Sequence, residues 1–549
     1  MKSSRIQVIQ LITGISFLII LTVVLVCSKT VFDLLDEGYY LLSYDREQPI
    51  YFQFTGFHFL VRLLPFSDDI FIVRLYRVLL LLLAAFVLAR ALHKKIFQQQ
   101  EFLTVLTYVL LGNFSSYVFA PQTLSYNTLN LIFLELLIAS YIFFRDEKLK
   151  SENYKQVILF SIVLGFLAFN KITTAVLMVS VVIIDQLIYK WGKWGQLIKT
   201  IFIVGFISLL VFVAVMFAAY GLDLPDKIKL LLTPGNPFKG RYLSYWFLLN
   251  QFSVRTFLQD KLWIIFTLAY LICYISFKKF KSENSPFLVA LFALIAVSSC
   301  YYYRKIYYSF PGSEFFYSFL LFYFLIWLQS VLSQHETKKV DWHFIILFLL
   351  IPFIGFWGSD NPPFLGMNHY YVFGILLCLY FSQILPLKFF NIYPVIIAGY
   401  VVFNLLWQPF ANPPVFEQKK SIIIHHQRIN VSDRIYVANE AFEKILPAIQ
   451  RENPLISVGT PIGLLYIHNL RNYFTIYFNH YTLTIGYLKL IQTKPLPDNS
   501  QILVCKTEVQ DNEEINKALN DFMENIKKSK ISIEKVAETD QYSLMKIHR

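Results

Sequence analysis

The chain has 549 residues, of which 56% are apolar and only 15% charged, against roughly 45–50% and about 25% in soluble domains. That composition excludes an ordinary soluble enzyme and describes a polytopic membrane protein. The net charge of +13 would point to nucleic acid in a soluble protein; here it is spread over the connections between apolar segments, so no nucleic-acid partner is expected.

In chain order, a basic start at residues 1–5 leads into the apolar run 6–26. The run is longer than the apolar core of a secretory signal and no small-x-small site follows it, so it reads as an uncleaved first span. The predicted spans are 6–27, 72–92, 102–119, 124–144, 156–169, 172–189, 198–219, 261–277, 286–303, 315–333, 342–357, 370–386 and 390–407, about thirteen helices by the bilayer-length criterion. With the N-terminus cytoplasmic, the connections 1–5, 93–95, 145–155, 190–199, 278–281 and 335–339 lie inside, and each carries Lys or Arg, as the positive-inside rule requires. An odd number of spans then places the tail outside. Asn170-Lys171 interrupts one long apolar stretch, and reading that stretch as a single broken helix would invert everything downstream.

Two domains follow: a transmembrane part, 1–407, with outer loops 28–71 and 220–260, and an outer α/β domain, 408–549. In the first loop, 51–66 is aromatic and aliphatic around Arg62 and suits a helix lying in the interface. Ser67, Asp68 and Asp69 read as the capped, acidic start of the second span. In the tail, 422–424 and 501–505 read as strands, 433–449 and 513–529 as helices, and 531–547 as a hairpin turning at 538–541. The sequence holds no GxGxxG, P-loop, HExxH or GxSxG motif. Cys27, Cys273, Cys300, Cys378 and Cys505 have no metal-clip or redox spacing.

Ionised groups near lipid are costly and tend to face a cavity or a partner. The acidic pair Asp36 and Glu37, in the run LLDEGYY just past the first span, has the make-up of a general base with a neighbour that tunes it, since adjacent like charges push their pKa values apart. The same pair also starts ordinary helices. Around it on the outer side stand Arg74 and Arg77, Lys171 after Asn170, Arg241, and Arg304 with Lys305. Basic residues at an outer interface often snorkel, but outer connections are poor in them by rule, and an anionic lipid headgroup such as a phosphate or pyrophosphate is their natural partner. Tyr39, Gln122, Tyr126, Asn127, Asn170, Asp360, Asn361 and His369 are candidates for sugar or acceptor contacts, or else plain loop polarity. Glu135 lies mid-span and reads as a packing residue, and Asp185 as the partner of Lys190.

The basic N-terminus, single span, Asp36-Glu37-Gly38-Tyr39 opening the first outer loop, interfacial helix and many later spans resemble the GT-C class of integral-membrane glycosyltransferases. The closest likeness is to the protein O-mannosyltransferase and lipid A aminoarabinose transferase branch. The Arg74 context, 121–127 and Asn170-Lys171 match as well, and the resemblance is carried by residues 1–190. It implies a GT-C fold and an enzyme of the bacterial inner membrane, working in the cell envelope. The donor is a sugar on a polyprenyl phosphate, and the acceptor a lipid, glycan or protein hydroxyl. It makes Asp36, with Glu37, catalytic, and Lys171, Arg74, Arg241, Arg304 and Lys305 holders of the donor phosphate. Direct displacement with inversion is expected. Without a DxD-like spacing in the first loop, no cofactor or obligatory metal is expected. A lipid-linked glycan flippase, transporter or polymerase is the alternative class, and it would place charges at the bilayer midplane.

Overall fold

The computed structural model describes residues 2–50, 56–118, 121–145, 151–189, 194–221, 224–225, 320, 324, 340–357, 368–384, 393–407, 413–473, 481–492, 496–529 and 531–548. The chain is an integral membrane protein, mostly α-helical, with a small sheet-containing region at its C-terminal end. The predicted spans 261–277, 286–303 and 315–333 and the loop 220–260 lie, all but a few positions, outside the described residues.

The described bundle helices are α1 (Lys2–Cys27), α4 (Ile70–Lys95), α5 (Phe102–Ser115), α6 (Tyr126–Phe144), α7 (Ser151–Asn170), α8 (Ile172–Tyr189), α9 (Trp194–Tyr220), α10 (Trp342–Phe356), α11 (Tyr371–Ile384) and α12 (Tyr393–Trp407). Between α1 and α4 come two short helices, α2 (Asp36–Tyr44) and α3 (Phe57–Arg62). Among the described residues α4, α6 and α9 are the helices long and apolar enough to cross a bilayer. Capping residues set the starts. Asp69 accepts the N–H of Ile72 at 2.9 Å, Ser125 that of Thr128 at 3.2 Å and Asp341 that of Phe344 at 3.0 Å, each satisfying a donor orphaned at a helix N-terminus.

The chain reverses at Asn170-Lys171. Asn170 donates to the Tyr126 carbonyl at the start of α6 (3.1 Å), and Phe160 lies against Phe144 at its end. Thr174 then sits beside Asn130 near that start, and Tyr141 near the end of α6 donates to Asp185. Helix α8 therefore runs alongside α6, and α7 runs opposite to both, so 151–189 is two helices and not one broken rod.

Buried polar groups collect at the two ends of this packing. At the end away from Asp36, Arg145 binds Asp341 (2.8 Å) and Asp185 (3.5 Å), and His343 lies 2.6 Å from Asp185. Lys190, the expected partner of Asp185, is outside the described residues; Asp185 is held by Arg145, His343 and Tyr141 instead, because α6 and α8 end at the level where α10 begins. Between the two ends, Glu135 accepts from Asn113 Nδ2 at 3.0 Å and is fully buried, a hydrogen-bonded packing role.

The tail carries a hairpin, β1 (Lys420–Ile424) with β2 (Gln427–Val431), then α13 (Asp433–Glu443), β3 (Leu455–Val458), α14 (Ile462–Ile467), α15 (Tyr481–Gln492), β4 (Gln501–Cys505), α16 (Lys506–Gln510), α17 (Glu513–Lys528) and the hairpin β5 (Ser532–Glu538) with β6 (Tyr542–His548). The second sheet has the order β3-β4-β6-β5, with β3 parallel to β4 and the other pairs antiparallel. All residues of β3 and β4 are buried, as expected of strands covered on both faces. Against one face pack Leu488, Ile491, Leu519 and Phe522 of α15 and α17. The other tail core is continuous with the bundle: Ile422, Ile424, Ile462 and Leu465 belong to the same apolar cluster as Phe32, Leu41 and Val73.

Candidate active site

Three acids lie within five residues, Asp33 to Glu37, and each meets different surroundings. Asp33 caps α2: its carboxylate accepts the N–H groups of Leu35 (3.1 Å), Asp36 (2.8 Å) and Glu37 (3.3 Å), and its own N–H donates to Glu37 Oε2 at 3.4 Å. This reciprocal arrangement satisfies helix-start donors that would otherwise be orphaned.

Glu37 faces inward and is neutralised. Its carboxylate, 2% exposed, takes two hydrogen bonds from Arg74 of α4, 3.0 Å from Nε and 2.8 Å from Nη2. The remaining donors of Arg74 reach the carbonyls of Ser28 (2.5 Å) and Val31 (2.7 Å). Arg74 was expected to hold donor phosphate, but its guanidinium is occupied by Glu37 and by the backbone at the end of the first span. The planar fork of arginine suits this double duty, gripping a carboxylate bidentately on one edge and carbonyls on another.

Asp36 faces out. It is exposed, and among the described residues its carboxylate has no hydrogen-bond or ion-pair partner. Crowding by the surrounding protein, with the Asp33 carboxylate second, raises Asp36 from 3.8 to about 7. Asp33 is itself raised, by burial first, against the pull of the helix amides it caps. A carboxylate poised near neutrality is the kind that takes and returns protons efficiently.

One turn along α2 from Asp36 stands Tyr40, whose ring centroid is 6.2 Å from that of Tyr126 and 5.6 Å from that of Phe57. Tyr126 is tied through its carbonyl to Asn170, next to Lys171. The expected residues Asp36, Tyr39, Tyr126, Asn170 and Lys171 therefore gather at one end of the bundle, Tyr39 buried with its ring 5.8 Å from that of Tyr40. Asn127 is half-buried beside Tyr126.

Lys171 is buried, and its ammonium donates to the carbonyls of Gly355 (2.8 Å) and Phe356 (3.2 Å). These are carbonyls of the last turn of α10, which have no partner within their helix. Asn130 (3.0 Å) and Tyr370 (2.9 Å) also donate to Gly355, and Thr173 to Trp357 at 2.9 Å. A cation at a helix C-terminus is favoured by the helix dipole, and buried carbonyls need protein donors. Lys171→Met is expected to lower the thermal midpoint of the purified protein in detergent, because losing charged hydrogen bonds to buried acceptors costs about 1.5–3 kcal/mol. An unchanged midpoint would mean that the helix end is satisfied without Lys171.

Gln122 is buried and donates to the Thr30 carbonyl at 3.1 Å, holding the first loop. Arg77 stacks 3.7 Å from the Tyr117 ring centroid and donates to the Pro121 carbonyl, fastening the segment before α6. His369 is buried with its ring 6.2 Å from that of Tyr370. Arg241, Arg304, Lys305, Asp360 and Asn361 lie outside the described residues. Sequence reasoning missed Asp33, although an acid followed four residues later by Glu resembles a capping pattern. It also missed the donors Asn130 and Tyr370, which carry no local signal because they meet only when α6, α10 and α11 pack.

No family model matches the chain. Among solved structures it is similar to ArnT from Cupriavidus metallidurans, bound to undecaprenyl phosphate, with a TM-score of 0.46 and 12% identity, covering 97% of each chain. Its apo state gives a TM-score of 0.45, covering 96% of this chain and 97% of that one. Among curated proteins the chain is similar to the photosystem I assembly protein Ycf4 of Arabis hirsuta, 26% identical over 98 residues, 18% of this chain and 52% of that protein. The Ycf4 of Draba nemorosa is 24% identical over the same length. The chain spans about half the length of the curated relatives it matches.

Proposed function

We propose that the chain is a GT-C glycosyltransferase that moves a sugar from a polyprenyl-phosphate donor to an acceptor hydroxyl on the outer face of a bacterial inner membrane. The observation that carries this reading is the division of labour among the acids. Glu37 is locked by Arg74 and Asp33 is engaged by helix amides, while Asp36 is exposed, unpaired among the described residues and raised to about 7.

Asp36 acts as the general base. The acceptor oxygen attacks the anomeric carbon, its proton passes to Asp36, and the bond from that carbon to the phosphate oxygen breaks with its electron pair on polyprenyl phosphate. The leaving group departs already ionised, so cations nearby serve in place of a general acid. Lys171 is the described candidate for that service, exchanging its helix-end carbonyls for phosphate oxygens; Arg241, Arg304 and Lys305 are the others. A single displacement inverts the anomeric centre. Tyr39, Tyr126, Asn127, Asn170, Gln122, Asp360 and His369 are assigned to shaping the sugar and acceptor sites.

The test is transfer by purified protein in nanodiscs offered defined polyprenyl-phosphate sugars and lipid, glycan or peptide acceptors. Mass spectrometry should show one added sugar, and NMR an anomeric configuration opposite to the donor's. Retention of configuration would remove the single displacement, and the absence of any transfer by folded protein would remove the enzyme. If Lys171 grips the donor, Lys171→Met raises the donor KM at least tenfold; a lowered thermal midpoint with unchanged KM would leave it a helix-end cap alone.

A further inference from the structure

The tail domain grips helix α2 at both of its ends. At the first turn, the Gly463 N–H donates to the Leu34 carbonyl at 2.8 Å, and α14 lies so close that a methyl group on Gly38 would stand 2.3 Å from the Gly463 Cα. A methyl on Gly463 would in turn stand 2.8 Å from the Leu34 Cα and carbonyl oxygen. Only glycine permits two backbones to approach in this way.

Just past the last turn, Gln48 and Asn472 exchange hydrogen bonds, Gln48 Nε2 to the Asn472 carbonyl at 3.0 Å and the Asn472 N–H to Gln48 Oε1 at 2.9 Å. Beside them Arg471 binds Asp45 and Glu47, each at 2.6 Å. A further link joins the segment leading into α2 to the β2 strand: the Val31 N–H donates to the Asn430 carbonyl at 2.8 Å, and the Asn430 N–H to the Lys29 carbonyl at 3.1 Å. The acid-bearing helix and the segment leading into it are thus held on one side by tail residues about 400 or more positions away in sequence, and on another by Tyr126 and Phe57.

We propose that Gly463, Arg471 and Asn472 are positioning residues for Asp36: the tail domain sets where α2 stands over the bundle, and so sets turnover without binding substrate itself. This rests on the transferase reading above. Displacing a reacting group by about 1 Å costs on the order of 100-fold in rate, and these contacts tie both ends of α2 to the tail domain.

The experiment pairs hydrogen exchange of the α2 amides, read by mass spectrometry on the full chain in nanodiscs, with steady-state kinetics. Gly463→Ala and Arg471→Glu are expected to speed α2 exchange and to lower kcat by about 10- to 100-fold for the first and several-fold for the second. KM for the donor should stay within about twofold, since uniform binding is untouched. Adding Asp45→Arg to Arg471→Glu restores one of the two ion pairs with reversed charge and should recover part of the lost kcat and of the slow exchange. If Gly463→Ala does not fold, the Arg471 series decides by itself. Unchanged exchange in both variants would show that no clamp exists. Faster exchange with full kcat, or an effect confined to KM, would overturn the positioning role. If the unaltered protein transfers no sugar, the transferase reading fails, and exchange alone then decides whether the tail domain holds the helix.

Discussion

On the proposed transferase reading, Asp36→Asn is expected to abolish most turnover with a polyprenyl-phosphate sugar, by about 100- to 10,000-fold, the range for loss of a positioned general base, while donor binding by the same preparation persists. The substitution is a clean one. Asp36 has no described hydrogen-bond partner to lose, and burial together with the Asp33 charge disfavours its ionised form. Removing that charge therefore leaves the fold at least as stable. Turnover retained within tenfold would take Asp36 out of the mechanism.

The same surroundings predict a pH profile. A base of the proposed kind works when ionised, so activity is expected to rise with pH through about 7 and to level off above it. Asp33→Asn keeps a cap for α2 but removes the second cause of the shift, so the rising limb moves to lower pH. The linkage to stability has the opposite direction. Between 3.8 and about 7 the folded chain holds a proton that the unfolded chain releases, so this group makes the fold less stable as pH climbs through that window. A profile whose rising limb sits near pH 4 would place the base elsewhere.

Arg74→Met is expected to destabilise the protein by about 3–5 kcal/mol, the cost of stranding one partner of a buried ion pair. Both side chains are 2% exposed, so water cannot take Arg74's place beside Glu37, and the carbonyls of Ser28 and Val31 lose their donor as well. Denaturation of the purified protein measures this loss. Combining Arg74→Met with Glu37→Gln recovers part of it, because the uncompensated charge is gone. Loss of activity by Glu37→Gln in protein of unchanged stability would instead give Glu37 a part in the chemistry.

How much of this was legible in advance depended on range. Bilayer-length apolar runs and caps are local, and Asp69 starts α4 where the acidic residues after Ser67 announced a helix start. In the tail, the strand at 501–505, the helix from Glu513 and the final hairpin follow their sequence patterns closely, since alternation and helical periodicity are local too. The short buried strand 455–458 was invisible, because four consecutive apolar or small residues carry no period. Its parallel pairing with β4 depends on residues more than 40 positions on.

By itself the sequence determined that this chain lives in a bilayer, where α4 begins, and that an acidic pair opens its first loop. Hydrophobicity, capping and charge asymmetry are properties of neighbouring residues, and they survive without a fold. Only the tertiary structure decided which of those acids is open. The Asp36-Glu37 pair becomes one exposed and one buried carboxylate because α2 turns Glu37 towards Arg74, and Arg74 changes from a candidate phosphate ligand into a counterion. It likewise turned Lys171 towards the end of α10 and brought Gly463 against Gly38. Contacts between elements far apart in the chain leave no trace in either element alone.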